Sequence, residues 1–160
     1  MKPDPASSLR ALVHGDLDAL LQLYRHLHVS DLPLPDRRVV EAVWSEMLGN
    51  PNGRCFGGFA GDALVSSCTI LLVPNLTRGC RPYGVIENVV THANHRGQGW
   101  GKRLLREALA WAWSNSAYKV MLLTGRQDEA TLRFYERAGF DRSGKTGFIA
   151  KPSAEASPLR

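Results

Sequence analysis

The spacing of apolar positions changes several times along this chain, and each change marks an element. Residues 9–13 read as a short strand. Leu17, Leu20, Leu21, Tyr24 and Leu27 then recur three and four apart, predicting a helix from an Asp16 cap to about His28. Pro33 and Pro35 break that pattern. Asp36 next caps a second predicted helix, with Val39, Val40, Val43, Trp44 and Met47 at helical spacing, and Gly49-Asn50-Pro51-Asn52-Gly53 ends it. Residues 55–60 and 63–73 flank Gly61-Asp62 as a β-hairpin. A polar loop (74–82) carrying Arg78 and Arg81 leads to an apolar strand, 83–91. Leu104, Leu105, Ala108, Leu109 and Ala112 form a helical stripe, extended by Trp111 or Trp113. Residues 119–124 read as a buried strand, and Asp128 caps a helix through Ala138 that Gly139 closes. A final strand is expected at 148–151 and a frayed polar tail at 152–160.

Nothing in this pattern repeats, and 160 residues suit one domain, placed at 1–151. An apolar fraction of 44% with 22% charged residues is ordinary for a globular protein. No apolar stretch approaches a membrane span, and the first residues lack a signal-peptide core, so a cytoplasmic protein without membrane partners is expected. Cys55, Cys68 and Cys80 are odd in number and lack a C-x-x-C pattern, which predicts reduced thiols and no metal site. The net charge is +5. The basic residues are nevertheless interleaved with acids, as in Asp36-Arg37-Arg38 and Glu136-Arg137, and no zinc-finger or basic-helix pattern is present. A nucleic-acid partner is therefore not expected, whereas an anionic cofactor suits a basic surface.

The chemistry concentrates after the 83–91 strand. There, Arg96-Gly97-Gln98-Gly99-Trp100-Gly101-Lys102 runs straight into a helix. A strand, a glycine-rich loop and a helix in that order let unpaired N–H groups converge at the positive end of a helix dipole, which makes an anion site. Arg96, Lys102 and Arg103 add full positive charge. The Walker-type phosphate loop does not fit: Arg96 stands where its first glycine belongs, and Arg103 replaces the hydroxyl that binds magnesium. The dinucleotide loop does not fit either, because Gly101 comes one position early and Lys102 occupies the third glycine's place.

Arg96-x-x-Gly99-x-Gly101 resembles the coenzyme A loop of the GNAT family of N-acetyltransferases. A second family signature, Tyr135-Glu136-x-x-Gly139-Phe140, follows after a helix and a strand. The resemblance implies an α/β fold whose mixed, partly parallel sheet carries helices on both faces, matching the order β-α-α-β-β-β-α-β-α-β. It implies acetyl-CoA as cosubstrate. Backbone groups of Val89, Val90 and Thr91 would hold the pantetheine arm, and the loop from Arg96 through Gly97, Gln98, Gly99, Trp100, Gly101 and Lys102 the pyrophosphate. Thr124 and Asp128 complete that set. The indole of Trp100 has two readings, stacking on adenine or stapling the helix to the sheet.

Acetyl transfer from a thioester to an amine requires an oxyanion contact, a proton for the departing thiolate and a base for the amine. By resemblance, an N–H near Val90 supplies the first and the Tyr135 phenol the second. Glu87, a carboxylate within the apolar run Val85-Ile86-Val89-Val90, is the candidate base, with burial expected to raise its pKa. Asn88, His92 and His95 are weaker candidates. Ile86-Glu87-Asn88-Val89-Val90 with Tyr118-Lys119-Val120 is similar to the glucosamine-phosphate N-acetyltransferase group, which carries an aspartate where this chain has Leu123. The acceptor is thus a primary amine of a small molecule, amino-sugar-like or otherwise, or of a peptide. Arg78, Arg81 and Arg126 are available to an anionic acceptor. A homodimer is a further expectation. The alternative to an enzyme is a catalytically silent coenzyme A-binding sensor or scaffold.

Overall fold

The structure, a computed structural model, describes residues 7–27 and 31–152. Strands β1 (Ser7–Ala11), β2 (Gly53–Ala60), β3 (Ala63–Val73), β4 (Tyr83–Thr91) and β5 (Val120–Leu122) form one sheet in sequence order. The first three pairings are antiparallel and β4–β5 is parallel. Alternation of side chains gives the sheet two apolar faces. Phe56, Cys68, Ile70, Leu72 and Ile86 pack under α4 (Trp100–Ser114) and α5 (Glu129–Ala138). Cys55, Phe59, Leu64 and Val90 pack under α1 (Leu17–Tyr24) and α2 (Arg37–Gly49). This is the mixed α/β arrangement expected from the sequence. A kinked turn, α3 (Thr77–Cys80), lies in the loop before β4.

Several local expectations are corrected. β1 covers Ser7–Ala11 rather than 9–13, because Leu12 turns into the core and Val13 opens a 3-10 turn, His14–Asp16. Asp16 does not cap α1. It sits inside that turn with helical dihedrals, and its carboxylate accepts from the Val13 N–H at 2.8 Å and from the Arg10 guanidinium. His28, the expected end of this helix, lies outside the described residues. Asp36 does cap α2, accepting from the Arg38 N–H. Only Val40, Trp44, Met47 and Leu48 of that helix reach the core, and Val39 and Val43 stay exposed.

The hairpin forms as expected, with a bulge between Gly58 and Phe59. β5, expected over 119–124 and buried, is only three residues long and half-buried, and Leu123 is exposed. Residues 148–151 form no strand: Phe148 and Ile149 are exposed and lack a pairing partner among the described residues. The expected tail from 153 onward falls outside the described residues.

Candidate active site

The site opens where β4 and β5 part. Their pairing stops at Ile86↔Leu122, yet β4 continues to Thr91, so its β5-facing edge is unpaired over the last five residues. On the other edge, β3 pairs Thr69 with Glu87 and Ser67 with Val90, which leaves Asn88 and Val89 opposite Cys68 alone. This is a β-bulge, and Asn88 takes a left-handed conformation (φ 54°) to make it. The bulge re-aims backbone N–H and C=O groups of β4 toward the gap. A cleft of about 980 Å³ results, lined by Glu87 to Thr91, the loop from His95 to Lys102, Thr124 to Arg126, and Tyr135.

The glycine loop joins this cleft to α4. Gly97 and Gly99 have φ of 75° and 84°, and Gly99 is the residue from which α4 starts, without a side-chain cap. The first amides of α4 therefore remain available to an anion, as the sequence implied. Gly101 has a different reason: a Cβ there would stand 2.9 Å from the Phe134 ring, so its absence lets α5 lie against the first turn of α4. That contact carries the adjacent residue, Tyr135, to the cleft.

The side chains of the loop are committed elsewhere. The Arg96 guanidinium donates from Nε to the Thr91 carbonyl at 3.1 Å and from Nη2 to the His26 carbonyl at 3.2 Å. Gln98 donates to the Asn94 carbonyl. Trp100 is buried, its indole lying over Gly58 of β2, where a Cβ would meet Cε3 at 3.0 Å, and Arg103 stacks on it at 4.9 Å. Of its two readings this burial fits the staple, since little of the ring is left for adenine to stack on. Asp128 caps α5, accepting from the Thr131 N–H and hydroxyl at 2.9 Å each, and these bonds hold its pKa below the ordinary carboxylate value. The Thr124 hydroxyl accepts from the Arg126 N–H at 3.2 Å.

Tyr135 is half-buried, flanked edge-on by Phe134 and Phe140, and its hydroxyl makes no hydrogen bond among the described residues. Burial pushes its pKa above 10.0, with Arg126 pulling it back and Glu87 raising it. The phenol is a proton donor at neutral pH. Glu87 differs from expectation, for it is exposed at the cleft rather than buried in the strand. Glu87 lies just past the last β4–β5 pair, Ile86↔Leu122, where β5 no longer flanks the strand.

Three residues not assigned to the site from the sequence stand nearby. His26 and Leu27, just after α1, line the cleft. The His26 ring lies 4.1 Å from that of His92, which is 5.6 Å from His95. Desolvation first, then His26, His95 and Arg96, lower the pKa of His92, whose Nδ1 accepts from the Asn94 N–H. Tyr24 is partly buried, and its hydroxyl lies buried close to Thr69 and Asn88 without a well-formed hydrogen bond. No periodicity marks these contacts, which join segments far apart in sequence.

Compared with known proteins, residues 17–140 match the Acetyltransferase (GNAT) family. The chain belongs to the GNAT acetyltransferase family. As an N-acetyltransferase it is similar to the glucosamine 6-phosphate N-acetyltransferase of Trypanosoma brucei brucei, with 34% identity over 82% of this chain and 87% of the relative. It is 27% identical to an aminoglycoside N(6')-acetyltransferase type 1 of Serratia marcescens, over 86% of this chain and 94% of that protein. A solved structure assigned as an acetyltransferase from Agrobacterium tumefaciens str. C58 superimposes with a TM-score of 0.85 at 46% identity, covering 91% of this chain and 99% of the other. In the family to which this acetyltransferase belongs, acetyl-CoA is the cosubstrate.

Proposed function

We propose that the protein transfers the acetyl group of acetyl-CoA directly to a primary amine of a small, amino-sugar-like molecule or a peptide. One observation carries this reading. The free amides of the Gly97–Lys102 loop, the unpaired edge of β4 and the Tyr135 hydroxyl all line a single cleft.

The loop amides and the α4 dipole hold the pyrophosphate, with Lys102 nearby. Backbone groups of Val89, Val90 and Thr91 take the pantetheine amides as an added strand would. The acceptor nitrogen attacks the thioester carbonyl, and a backbone N–H near Val90 stabilises the oxygen as charge grows there, an effect worth roughly 3–4 kcal/mol. Glu87, open to the cleft, takes the proton the amine loses. The C–S bond breaks and Tyr135 gives its proton to the departing sulfur, leaving an amide and free coenzyme A. Solvent then returns a proton to Tyr135.

The amino-sugar preference is supported by the substrates after which the two relatives are named, glucosamine 6-phosphate and an aminoglycoside. Leu123, standing where the glucosamine-phosphate group has an aspartate, argues that the acceptor differs in detail. A homodimer is supported by the exposed Trp113, Leu123, Phe148 and Ile149 beside the free outer edge of β5. Thiol release from acetyl-CoA, screened over amino sugars, aminoglycosides, polyamines, amino acids and N-terminal peptides, tests the reading. Release that depends on one class of amine supports it, and coenzyme A binding without any amine-dependent release contradicts it.

A further inference from the structure

Arg96 belongs to the cofactor motif, and its guanidinium is held by two backbone carbonyls. It bridges the Thr91 carbonyl at the end of β4 and the His26 carbonyl in the turn that closes α1. A cation on a carbonyl at a helix C-terminus is favourable both as a charge-assisted hydrogen bond and against the helix dipole. The His26 and His92 rings, 4.1 Å apart, make a second contact between the same two segments. His26 and Leu27 in turn form a wall of the cleft that holds Glu87, Asn88 and Tyr135.

We infer that Arg96 is a positioning residue that latches the end of α1 to the coenzyme A loop, so that cofactor binding organises the acceptor side of the cleft. Arg96 is exposed, as are Gly97, Gln98 and Gly99, so the unliganded loop is held by few contacts. Phosphates held on the amides beginning at Gly97 immobilise the residue next to Arg96 in the chain. A guanidinium anchored at its base loses less freedom on bridging, and the bridge to His26 tightens. Ordering bought by the first ligand is then spared to the second, which is coupling without a large change in shape.

This inference rests on the coenzyme A reading, and one experiment separates the two. Hydrogen exchange is followed with and without saturating coenzyme A, in wild type and in Arg96→Lys, which keeps the charge but loses the two-pronged geometry. The amides of His26 and Leu27 bond to the Leu23 and Tyr24 carbonyls and report on the end of α1. In wild type, coenzyme A should slow exchange across 97–102 and at 26–27, the latter about fivefold or more. In Arg96→Lys the loop should still be protected while the cofactor-dependent slowing at 26–27 falls below about twofold. The same variant should raise KM for the amine found in the screen about tenfold and KM for acetyl-CoA no more than about threefold. Protection of the loop alone in wild type, or undiminished protection of 26–27 in the variant, overturns the latch and leaves the coenzyme A reading intact. No protection in either segment of wild type overturns both.

Discussion

Gly101 and Phe134 are mutually dependent: a methyl group on Gly101 would stand 2.9 Å from Cζ of the Phe134 ring, closer than such atoms approach. Phe134 is anchored edge-on to Tyr135. Gly101→Val should push α5 away from α4 and carry Tyr135 off its place beside β4. Overpacking of this kind costs about 1–3 kcal/mol in stability, with turnover falling further than stability alone explains. Urea unfolding and kcat together check it. Wild-type kcat in Gly101→Val would show that the contact does not position Tyr135.

Trp100 contributes through its buried side chain and not by stacking on a ligand. Trp100→Ala should cost about 3–5 kcal/mol, because the indole fills the space between Gly58 and the first turn of α4. A loss below about 1 kcal/mol in urea unfolding would contradict the buried placement.

Glu87 is exposed to the cleft, which frees it to meet an amine from solvent. Glu87→Gln should lower kcat about 100-fold and remove the acidic limb of the pH–rate profile for kcat. A profile superimposable on wild type would eliminate Glu87 as the base.

High pH should unfold the protein through groups that folding protects from ionisation. Burial raises the Tyr24 pKa from 10.0 to about 12 and the Cys68 pKa from 9.0 to about 12. The unfolded chain therefore releases these protons first, and stability falls as pH rises. The stability linked to Cys68 is fully present below about pH 9 and that linked to Tyr24 below about pH 10, and both decline toward pH 12. For Tyr24 the loss is on the order of 2–3 kcal/mol across that window. Urea unfolding from pH 8 to 11 checks this, with Tyr24→Phe expected to flatten the decline above pH 10. An unchanged slope in that variant would assign the decline to other groups.

What the sequence made legible and what it hid divide along the range of the interactions. The Asp36 and Asp128 caps, Gly139 at the end of α5 and the Gly61-Asp62 hairpin all depend on residues within about four positions, and each is found as expected. Asp16 misled because its carboxylate has a competing partner, Arg10, which local pattern cannot rank against a helix cap. Residues 148–151 carry strand-like side chains but lack a neighbour to pair with among the described residues, and β-propensity expresses itself only in a sheet. The exposure of Glu87 goes with the early end of the β4–β5 pairing at Ile86, which no local pattern marks. The Arg96–His26 bridge spans 70 positions, and the Trp100–Gly58 contact joins α4 to β2, so neither leaves a periodic trace.

The central claim is that this cleft passes an acetyl group from coenzyme A to an amine, with Tyr135 protonating the departing sulfur. Burial keeps the phenol protonated through neutral pH, so the donor is in the required form. The most direct test measures thiol release and coenzyme A binding side by side, in wild type and Tyr135→Phe, with the best amine of the screen. Amine-dependent release that drops about 100-fold in Tyr135→Phe, with coenzyme A affinity nearly unchanged, is the expected result. Equal release from both proteins would remove Tyr135 from the mechanism, and coenzyme A binding with no amine-dependent release from wild type would contradict the assignment of transferase activity to this cleft.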